Sequence, residues 1–248
     1  MIEIEAEVAV AKIGKWASSE SGDTLEMIER PRGGFSFVLV DGQRSGRAAK
    51  AISNIVARKA VSELAEGVRD GAAARAAHDY LYTYKGGKVS ATLNILSLDL
   101  TTNTLVLSRN NHCPTLVYTP QDGLYLLDTP SEALGVRRDT KPVITELPLS
   151  VGTVVVVYTD GLATAGVRAG RSWDVVSQVE EWIVQEDKGR GMTARRLADA
   201  LLDRALALDD GRPNDDISVL VMRILERRGD EVRRLTLRLP IRPNFSLE

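Results

Sequence analysis

The sequence contains one cysteine, Cys113, in 248 residues. A single cysteine excludes an internal disulfide and is typical of a protein kept in a reducing compartment. No apolar run approaches the roughly 20 residues that a membrane-spanning helix needs. The start of the chain, Met1 to Glu7, alternates apolar and acidic residues and lacks the basic and apolar regions of a signal peptide. We therefore expect a cytoplasmic protein.

The chain also lacks an excess of charge of either sign, because 32 Lys and Arg against 34 Asp and Glu give a formal net charge of −2. This balance provides no global field for nucleic acid or for an anionic membrane, and we expect neither as a partner. The apolar content of 44% and the charged content of 27% are ordinary for a globular protein. The length suffices for one sizeable domain or two small ones.

Hydrophobic periodicity predicts strands and helices in separate groups. The predicted strands cover residues 2–13, 24–30, 34–41, 89–99, 103–109, 114–119, 123–127, 142–147, 152–159 and 216–226, and the four from 89 to 127 have the short turns of an antiparallel meander. The predicted helices cover residues 45–66, 70–84, 172–186 and 192–207. Because regular βαβ alternation is absent, the pattern favours an α+β layered sandwich.

Residues 227–248 form a basic extension behind a predicted main domain of residues 1–226. Its arginines are Arg227, Arg228, Arg233, Arg234, Arg238 and Arg242. Residues 232–239 could make an extra edge strand, and Leu247-Glu248 resembles a cloning remnant. The arginines could contact an acidic partner, although such a run is more often a solvated edge.

Two apolar runs end in Asp-Gly, at Phe35 to Gly42 and at Val154 to Gly161. A buried strand that ends on a carboxylate places a hard oxygen ligand at the lip of a sheet. A third acidic group, Asn214-Asp215-Asp216, precedes the last predicted strand. Together these positions could hold divalent metal ions. The alternative is structural, because the chain has five Asp-Gly pairs, at 41, 70, 122, 160 and 210, and most such pairs form turns.

A fourth acidic position, Asp23 in Ser21-Gly22-Asp23, lies 18 residues before Asp41. A hairpin of that length could bring the two carboxylates side by side, although the segment alone is typical of a surface loop. Asp215 and Asp216 would repel each other at the mouth of a strand, and a metal ion is one way to relieve that repulsion. Simple capping of the turn and strand is the other interpretation.

Six segments, in the same order along residues 5–226, resemble the motifs of metal-dependent serine/threonine protein phosphatases of the phosphatase 2C type. The likeness is greatest to the bacterial branch with the sporulation stage II phosphatase and the phosphatases that regulate sigma factors. The segments are Ser21-Gly-Asp23, Val40-Asp-Gly-Gln-Arg-Ser-Gly-Arg-Ala-Ala49, Ser90-Ala-Thr-Leu-Asn-Ile-Leu96, Asn110-Asn-His-Cys-Pro-Thr-Leu116, Tyr158-Thr-Asp-Gly-Leu162 and Asp215-Asp-Ile-Ser-Val219.

The resemblance implies an α-β-β-α sandwich in which helices flank two central antiparallel sheets. It also implies two Mn²⁺ or Mg²⁺ ions, with Asp41 bridging them, the Gly42 carbonyl on one, and Asp160 and Asp215 on the other. Asp23 would act directly or through water. Asp41 and Asp160 would thus be the catalytic carboxylates, since a water between two metals is deprotonated near neutral pH and attacks phosphorus. A cysteine nucleophile is not implied, because Cys113 has no Cys-x5-Arg pattern.

The chain departs from the family pattern at the turn after Asp41, where Gly-His-Gly is replaced by Arg44-Ser-Gly-Arg47. Arg44 and Arg47 could bind substrate phosphate, or they could be solvated arginines at a helix start. His112 could be a general acid, although a loop histidine that shapes its turn is the commoner case. His78, in an alanine-rich segment, is interpreted as structural.

The implied activity is hydrolysis of phosphoserine or phosphothreonine on a regulatory partner protein, of the anti-sigma antagonist or stressosome type, in a stress response. A phosphatase-like module that binds a phosphoprotein without turnover is the main alternative, and the altered Arg44–Arg47 turn is its only hint. A hydrolase for small phosphorylated metabolites is a third possibility. The absence of a Gly-x4-Gly-Lys loop disfavours nucleotide binding of that kind. The oligomeric state stays open.

Overall fold

A computed structural model describes residues 3–186, 192–227, 229–238 and 240. The strands are β1 (Ile4–Ile13), β2 (Asp23–Glu29), β3 (Phe35–Gly42), β4 (Ala91–Asp99), β5 (Thr104–Asn110), β6 (Thr115–Thr119), β7 (Gly123–Leu127), β8 (Val143–Pro148), β9 (Val154–Tyr158) and β10 (Ile217–Glu226). The helices are α1 (Gly46–Ala65), α2 (Asp70–Lys85), α3 (Asp160–Ala163), α4 (Val175–Glu186) and α5 (Ala194–Leu208). The predicted elements are thus present, and the four-residue α3 is an addition.

The ten strands form two five-stranded antiparallel sheets. One has the order β1-β10-β9-β6-β7, and the other has the order β2-β3-β4-β5-β8. The predicted meander over 89–127 is therefore wrong, because β4 pairs with β5 and β6 pairs with β7, whereas β5 and β6 belong to different sheets. The chain crosses between sheets there, and β6 finds its second partner in β9 instead.

Side chains of β3 show how alternation builds the layers. Val38 and Val40 pack under α1 and α2, while Phe37 and Leu39 point into the core between the sheets. This period of two follows from the pleat of a strand that is covered on both faces. The outer face of the other sheet packs against α4 and α5, through side chains such as Val156 and Leu201. The α-β-β-α sandwich is confirmed.

The pairing of β1 with β10 joins the two ends of the domain, from Ile4 opposite Glu226 to Ile13 opposite Ile217. This pairing brings the loop after β1 to the mouth of β10, where Asp215 and Asp216 lie. The sequence of neither strand identifies the other as its partner, because alternation of apolar and polar residues is compatible with pairing to any edge strand.

The described part of the basic extension, residues 227, 229–238 and 240, contains no β-strand, in contrast to the possible edge strand over 232–239. Arg233 instead pairs with Glu29 at 2.6 Å, and its guanidinium lies 5.5 Å from the centre of the Phe35 ring. The predictions for Arg228, residue 239, Arg242 and Leu247-Glu248 lie outside the described residues. Within the described ranges, no helix is both long and apolar enough to cross a membrane.

Candidate metal centre

Two of the predicted metal ligands, Asp23 and Asp41, face each other across the β2–β3 pair. Asp23 begins β2 and lies directly opposite Asp41 near the end of β3. Asp23 is fully buried, whereas Asp41 is partly exposed. The hairpin predicted from the 18-residue separation is confirmed, and Asp23 does not lie in a surface loop.

The other two acids come from the second sheet. Asp160 follows β9 as the first residue of α3, and Asp215 lies just before β10. Because β9 and β10 are adjacent and antiparallel, the end of one lies beside the start of the other. The Thr159 N–H donates to the Ser218 carbonyl at 3.1 Å, which fixes that junction. The sandwich therefore gathers acidic residues from both sheets at one end.

Hydrogen bonds tie the two sheets together at this end. The hydroxyls of Thr159 and Ser218 both donate to Oδ2 of Asp23, at 3.1 and 2.6 Å. The other carboxylate oxygen, Oδ1 of Asp23, is buried and has no hydrogen-bond partner among the residues that the structure describes. A buried carboxylate oxygen left unpaired is costly, and a bound cation would satisfy it.

Burial, with repulsion between neighbouring acids as a smaller cause, raises the pKa values of three of these acids. Burial, together with the nearby charges of Asp23, Asp160, Asp215 and Asp216, raises the pKa of Asp41 to about 9. Burial raises the pKa of Asp23 to about 6, against the opposing effect of the Ser218 hydrogen bond. The pKa of Asp215 is also raised, first by burial. Several acidic side chains thus lie close together, and a bound divalent ion would stabilise their charged forms.

Asp215, the predicted ligand, and its neighbour Asp216 have different environments. Both oxygens of Asp216 accept backbone N–H groups, from Lys15 at 2.9 Å and from Gly22 at 2.8 Å. Asp216 therefore fastens the loop after β1 to the mouth of β10. Asp215 is partly exposed, and within the described ranges its carboxylate accepts only the adjacent Asp216 N–H, at 2.9 Å. Asp215 is the acid of the pair that is free to bind a ligand.

The glycines distinguish Asp-Gly pairs that form ordinary turns from pairs at which two backbone segments approach closely. A Cβ on Gly42 would lie 2.1 Å from the Ala49 carbonyl oxygen, and a Cβ on Gly161 would lie 2.1 Å from the Asp216 carbonyl oxygen. Neither glycine has a positive φ, so close backbone approach requires them. Gly123 and Gly211, in contrast, have φ of 71° and 72° and open space around them, as in ordinary turns.

Two lysines lie behind the acids and were not identified from the sequence. The ammonium groups of Lys12 in β1 and Lys50 in α1 both donate to the Asp23 carbonyl oxygen, that of Lys50 at 2.7 Å. Burial, with the nearby Lys50 charge, lowers the pKa of Lys12 to about 8. Only the pairing of β1 with β10 and the packing of α1 bring these cations here. No local signal marks either lysine.

The remaining candidates from the sequence are His112, Arg44, Arg47 and His78. His112 is 63% exposed, and its Nε2 lies 3.7 Å from Oδ2 of Asp160. Its turn is held by Asn111, whose side chain accepts the Cys113 N–H at 2.9 Å. Arg44 is exposed with a φ of 78°, and Arg47 pairs with Glu20 at 3.4 Å. His78 is buried and accepts the Gly135 N–H on Nδ1, as expected of a structural histidine.

The donor set fits hard divalent ions such as Mg²⁺ or Mn²⁺, which favour carboxylate, carbonyl and water ligands. Among the described residues, no three His, Cys, Asp or Glu side chains converge closely enough to hold one ion unaided. Proteins usually bind Mg²⁺ through one or two carboxylates, and water molecules occupy several of its other coordination positions. The unpaired Oδ1 of Asp23 and the raised pKa of Asp41 support this fit.

A family profile described as Stage II sporulation protein E (SpoIIE) matches residues 31–225. That span contains most of the chain, including Asp41, Asp160 and Asp215. The chain belongs to the SpoIIE family. Among curated protein sequences, no relative was found.

Solved structures with the same fold agree with the SpoIIE assignment. The phosphatase 2C domain, with a regulatory fragment, of the cell fate determinant SpoIIE from Bacillus subtilis has a TM-score of 0.72 and 18% identity, over 92% of this chain and 66% of that one. The RsbU and RsbW domains of Rv1364c from Mycobacterium tuberculosis give 0.71 and 20%, over 92% and 62%. The catalytic domain of the serine/threonine protein phosphatase PstP, in complex with two manganese ions, gives 0.65 and 16%, over 90% and 100%.

The chain thus spans less than two thirds of the length of the first two structures. At these identities the likeness shows the fold, which is that of phosphatase 2C enzymes. The roles of individual residues in this SpoIIE-family chain rest on its own geometry.

Proposed function

We propose that this chain is a metal-dependent serine/threonine protein phosphatase that hydrolyses phosphoserine or phosphothreonine on a regulatory protein. The observation that carries the proposal is the convergence of Asp23 and Asp41 from one sheet with Asp160 and Asp215 from the other. Membership of the SpoIIE family supports it, as does the similarity in fold to a protein phosphatase that holds two manganese ions.

In this proposal Asp41, the Gly42 carbonyl, Asp160 and Asp215 hold two Mn²⁺ or Mg²⁺ ions, with Asp23 behind them. Bound ions would supply an activated water for in-line attack on phosphorus and would neutralise the phosphate oxygens. Asp216 keeps its structural role, because both of its oxygens are occupied by backbone N–H groups.

In this reaction a side chain of the protein would donate a proton to the leaving oxygen. When the bond between phosphorus and the serine or threonine oxygen breaks, that oxygen must take up a proton. His112 is the candidate donor, since it lies beside Asp160 and is 63% exposed toward solvent. Its turn is fixed by Asn111, so the ring is held near the acids.

The partner in this proposal is a phosphorylated regulatory protein of the anti-sigma antagonist or stressosome type, in a stress-response pathway. The support is the relationship to SpoIIE and the likeness in fold to a structure containing an RsbU domain. Arg44 is the better candidate for contacting substrate phosphate, because Arg47 is already paired with Glu20. A phosphatase-like module that binds without turnover remains the alternative function.

Phosphate release from a phosphoserine peptide, with Mn²⁺ or with EDTA, tests the proposal. We expect release with Mn²⁺, none with EDTA, and a loss of about 100-fold or more in the Asp160→Ala variant, as when a group acting in the transition state is removed. The matched control is Asp122→Ala, which removes an exposed Asp of a turn between β6 and β7.

Equal activity with EDTA, or full activity in Asp160→Ala, would contradict the assignment. Metal-dependent binding of the phosphopeptide without any release would instead support the binding module.

A further inference from the structure

A second feature lies beside the metal centre, on the side of the loop that leads to Asp215. The side chains of Arg168, Asp209, Asp210, Arg212 and Asn214 line an open groove of about 400 Å³. Asn214 is the neighbour of Asp215 in the chain, so one end of the groove adjoins the candidate metal ligands. The established fold and the proposed chemistry make no use of this groove.

The two acids that line the groove are both engaged within the fold. Asp209 is buried, and its carboxylate accepts the Gly166 N–H at 2.8 Å and both nitrogens of Asn214. Asp210 is engaged by Arg171 through two hydrogen bonds, at 2.8 and 3.2 Å. The oxygens of Asp209 are thus occupied by hydrogen bonds, and the charge of Asp210 is balanced by Arg171.

The two arginines of the groove are free by comparison. Arg168 is exposed, and among the described residues its guanidinium donates only to the Asn214 side-chain oxygen, at 3.3 Å. Arg212 is exposed, and its guanidinium lies 5.5 Å from the centre of the Trp16 ring. Neither has a carboxylate partner within the part of the chain that the structure describes. Arginine in this state matches carboxylate or phosphate groups with two parallel hydrogen bonds.

Trp16 extends this surface next to Arg212. Its side chain is 59% exposed, although its backbone N–H is fixed to the Pro213 carbonyl at 2.8 Å. An exposed tryptophan on an anchored loop, with a cation over its ring, is a common element of binding surfaces. The loop of Trp16 also supplies the Lys15 N–H to Asp216, so the tryptophan is held close to the acids.

We propose that Trp16, Arg168 and Arg212, here called the rim surface, bind acidic residues that flank the phosphorylated residue of a protein substrate. The proposal rests on the phosphatase function and names its substrate class. A residue in an extended peptide advances about 3.3 Å, so the groove next to Asp215 is reached by residues within a few positions of the phosphoserine. Charge complementarity identifies the occupant, because two unpaired guanidiniums attract carboxylates and repel lysines.

The test compares two phosphoserine peptides, one flanked by glutamates and one flanked by lysines, with p-nitrophenyl phosphate as a substrate that has no flanks. Wild-type protein and the Arg168→Ala/Arg212→Ala double variant are assayed with Mn²⁺. We expect the KM of the glutamate peptide to rise about fivefold to tenfold in the variant, which corresponds to two exposed charge contacts. The kcat for p-nitrophenyl phosphate stays unchanged.

Trp16→Ala is a second variant, for which a smaller rise in KM of the glutamate peptide is expected. Arg58→Ala is the matched control, because Arg58 is an exposed arginine on α1, which packs on the other sheet. A KM for the glutamate peptide that is unchanged in the double variant, or that rises equally for the lysine peptide, overturns the proposal.

Failure of the phosphatase function has a different signature, which is the absence of hydrolysis of all three substrates by the wild type. In that event the fluorescence anisotropy of a labelled glutamate peptide tests the rim surface by itself. Weaker binding in Arg168→Ala/Arg212→Ala than in Arg58→Ala supports the rim surface, and equal binding overturns it.

Discussion

Asp23 and Asp41 lie directly opposite each other at the open end of the β2–β3 pair, one fully buried and the other partly exposed. Two carboxylates at adjacent positions in a sheet repel each other, so this pairing costs stability unless a cation compensates it. Thr159 and Ser218 of the other sheet donate to Asp23 and offset part of that cost. The relationship explains why the stability of the protein should depend on both metal and pH.

The first prediction concerns the pH dependence of the metal-free protein. The folded pKa values of Asp41 and Asp23 are raised, to about 9 and about 6, so the folded state holds protons that the unfolded state has released. Because the unfolded state binds fewer protons, stability falls as pH rises through this range. We expect the melting temperature in EDTA to be higher at pH 6 than at pH 9.

Differential scanning fluorimetry with and without millimolar Mn²⁺ checks this expectation. The ion should raise the melting temperature most at the alkaline end, where it no longer competes with protons. Asp41→Asn should flatten the profile in EDTA and reduce the effect of Mn²⁺. A profile in EDTA that is the same for the wild type and Asp41→Asn would show that Asp41 does not carry the pH dependence.

The second prediction concerns the glycine that follows Asp160. In Gly161→Ala the new methyl would overlap the Asp216 carbonyl oxygen, which lies 2.1 Å away, so the backbone at Asp160 must move. A shift of about 1 Å in a catalytic group can cost about 100-fold in rate. We expect Mn²⁺-dependent activity to fall by that order, together with a lower melting temperature.

The matched variant is Gly123→Ala, at a glycine with φ of 71° and nothing within 4 Å of a built Cβ. Only the strain of a left-handed alanine applies there, about 1–2 kcal/mol. This variant should lose stability and keep its activity. Equal activity losses in the two variants would refute a specific role for the close approach at Gly161.

The third prediction concerns the buried cations. Lys50→Met removes one of the two ammonium groups on the Asp23 carbonyl oxygen and leaves Lys12 in place. With one positive charge fewer beside the acids, metal-free protein should be less stable, while Mn²⁺ should bind more tightly. Isothermal titration calorimetry and thermal melts measure the two effects.

Lys59→Met is the control on the same helix, since Lys59 pairs with Glu63 away from the acids. The double variant Lys12→Met/Lys50→Met should be much less stable than either single variant, because the Asp23 carbonyl oxygen loses both ammonium donors. Weaker Mn²⁺ binding in Lys50→Met would contradict the prediction. It would mean that Lys50 aids metal binding by positioning Asp23 more than its positive charge opposes it.

The fourth prediction concerns His112. If His112 donates the proton to the leaving oxygen, His112→Gln should reduce kcat for a phosphoserine peptide by about 100-fold, a usual effect for a general acid. Hydrolysis of p-nitrophenyl phosphate should be far less affected, because nitrophenolate leaves without a proton. His78→Gln, at the buried histidine, should lower stability without this difference between substrates. Equal losses on both substrates in His112→Gln would exclude the proton donor role.

The elements of the fold could be predicted from the sequence because strand and helix periodicities are local properties. The alternation in β3 specified a strand with two buried faces, and the alanine-rich spacing specified α1 and α2. The Asp-Gly positions at the ends of β3 and β9 could also be found in this way. The pairing of strands could not, which is why the meander over 89–127 was wrong at the junction of β5 and β6.

Asp41 and Asp160 could be located from the sequence, because each follows an apolar run that predicts a buried strand ending at the edge of a sheet. The packing of the sheets leaves Asp215 accessible, while the N–H groups of Lys15 and Gly22 fasten Asp216. The tertiary structure also brings Lys12 and Lys50 together behind Asp23. The physical reason is that these contacts join residues far apart in the chain, and such contacts depend on how the sheets pack rather than on any local pattern.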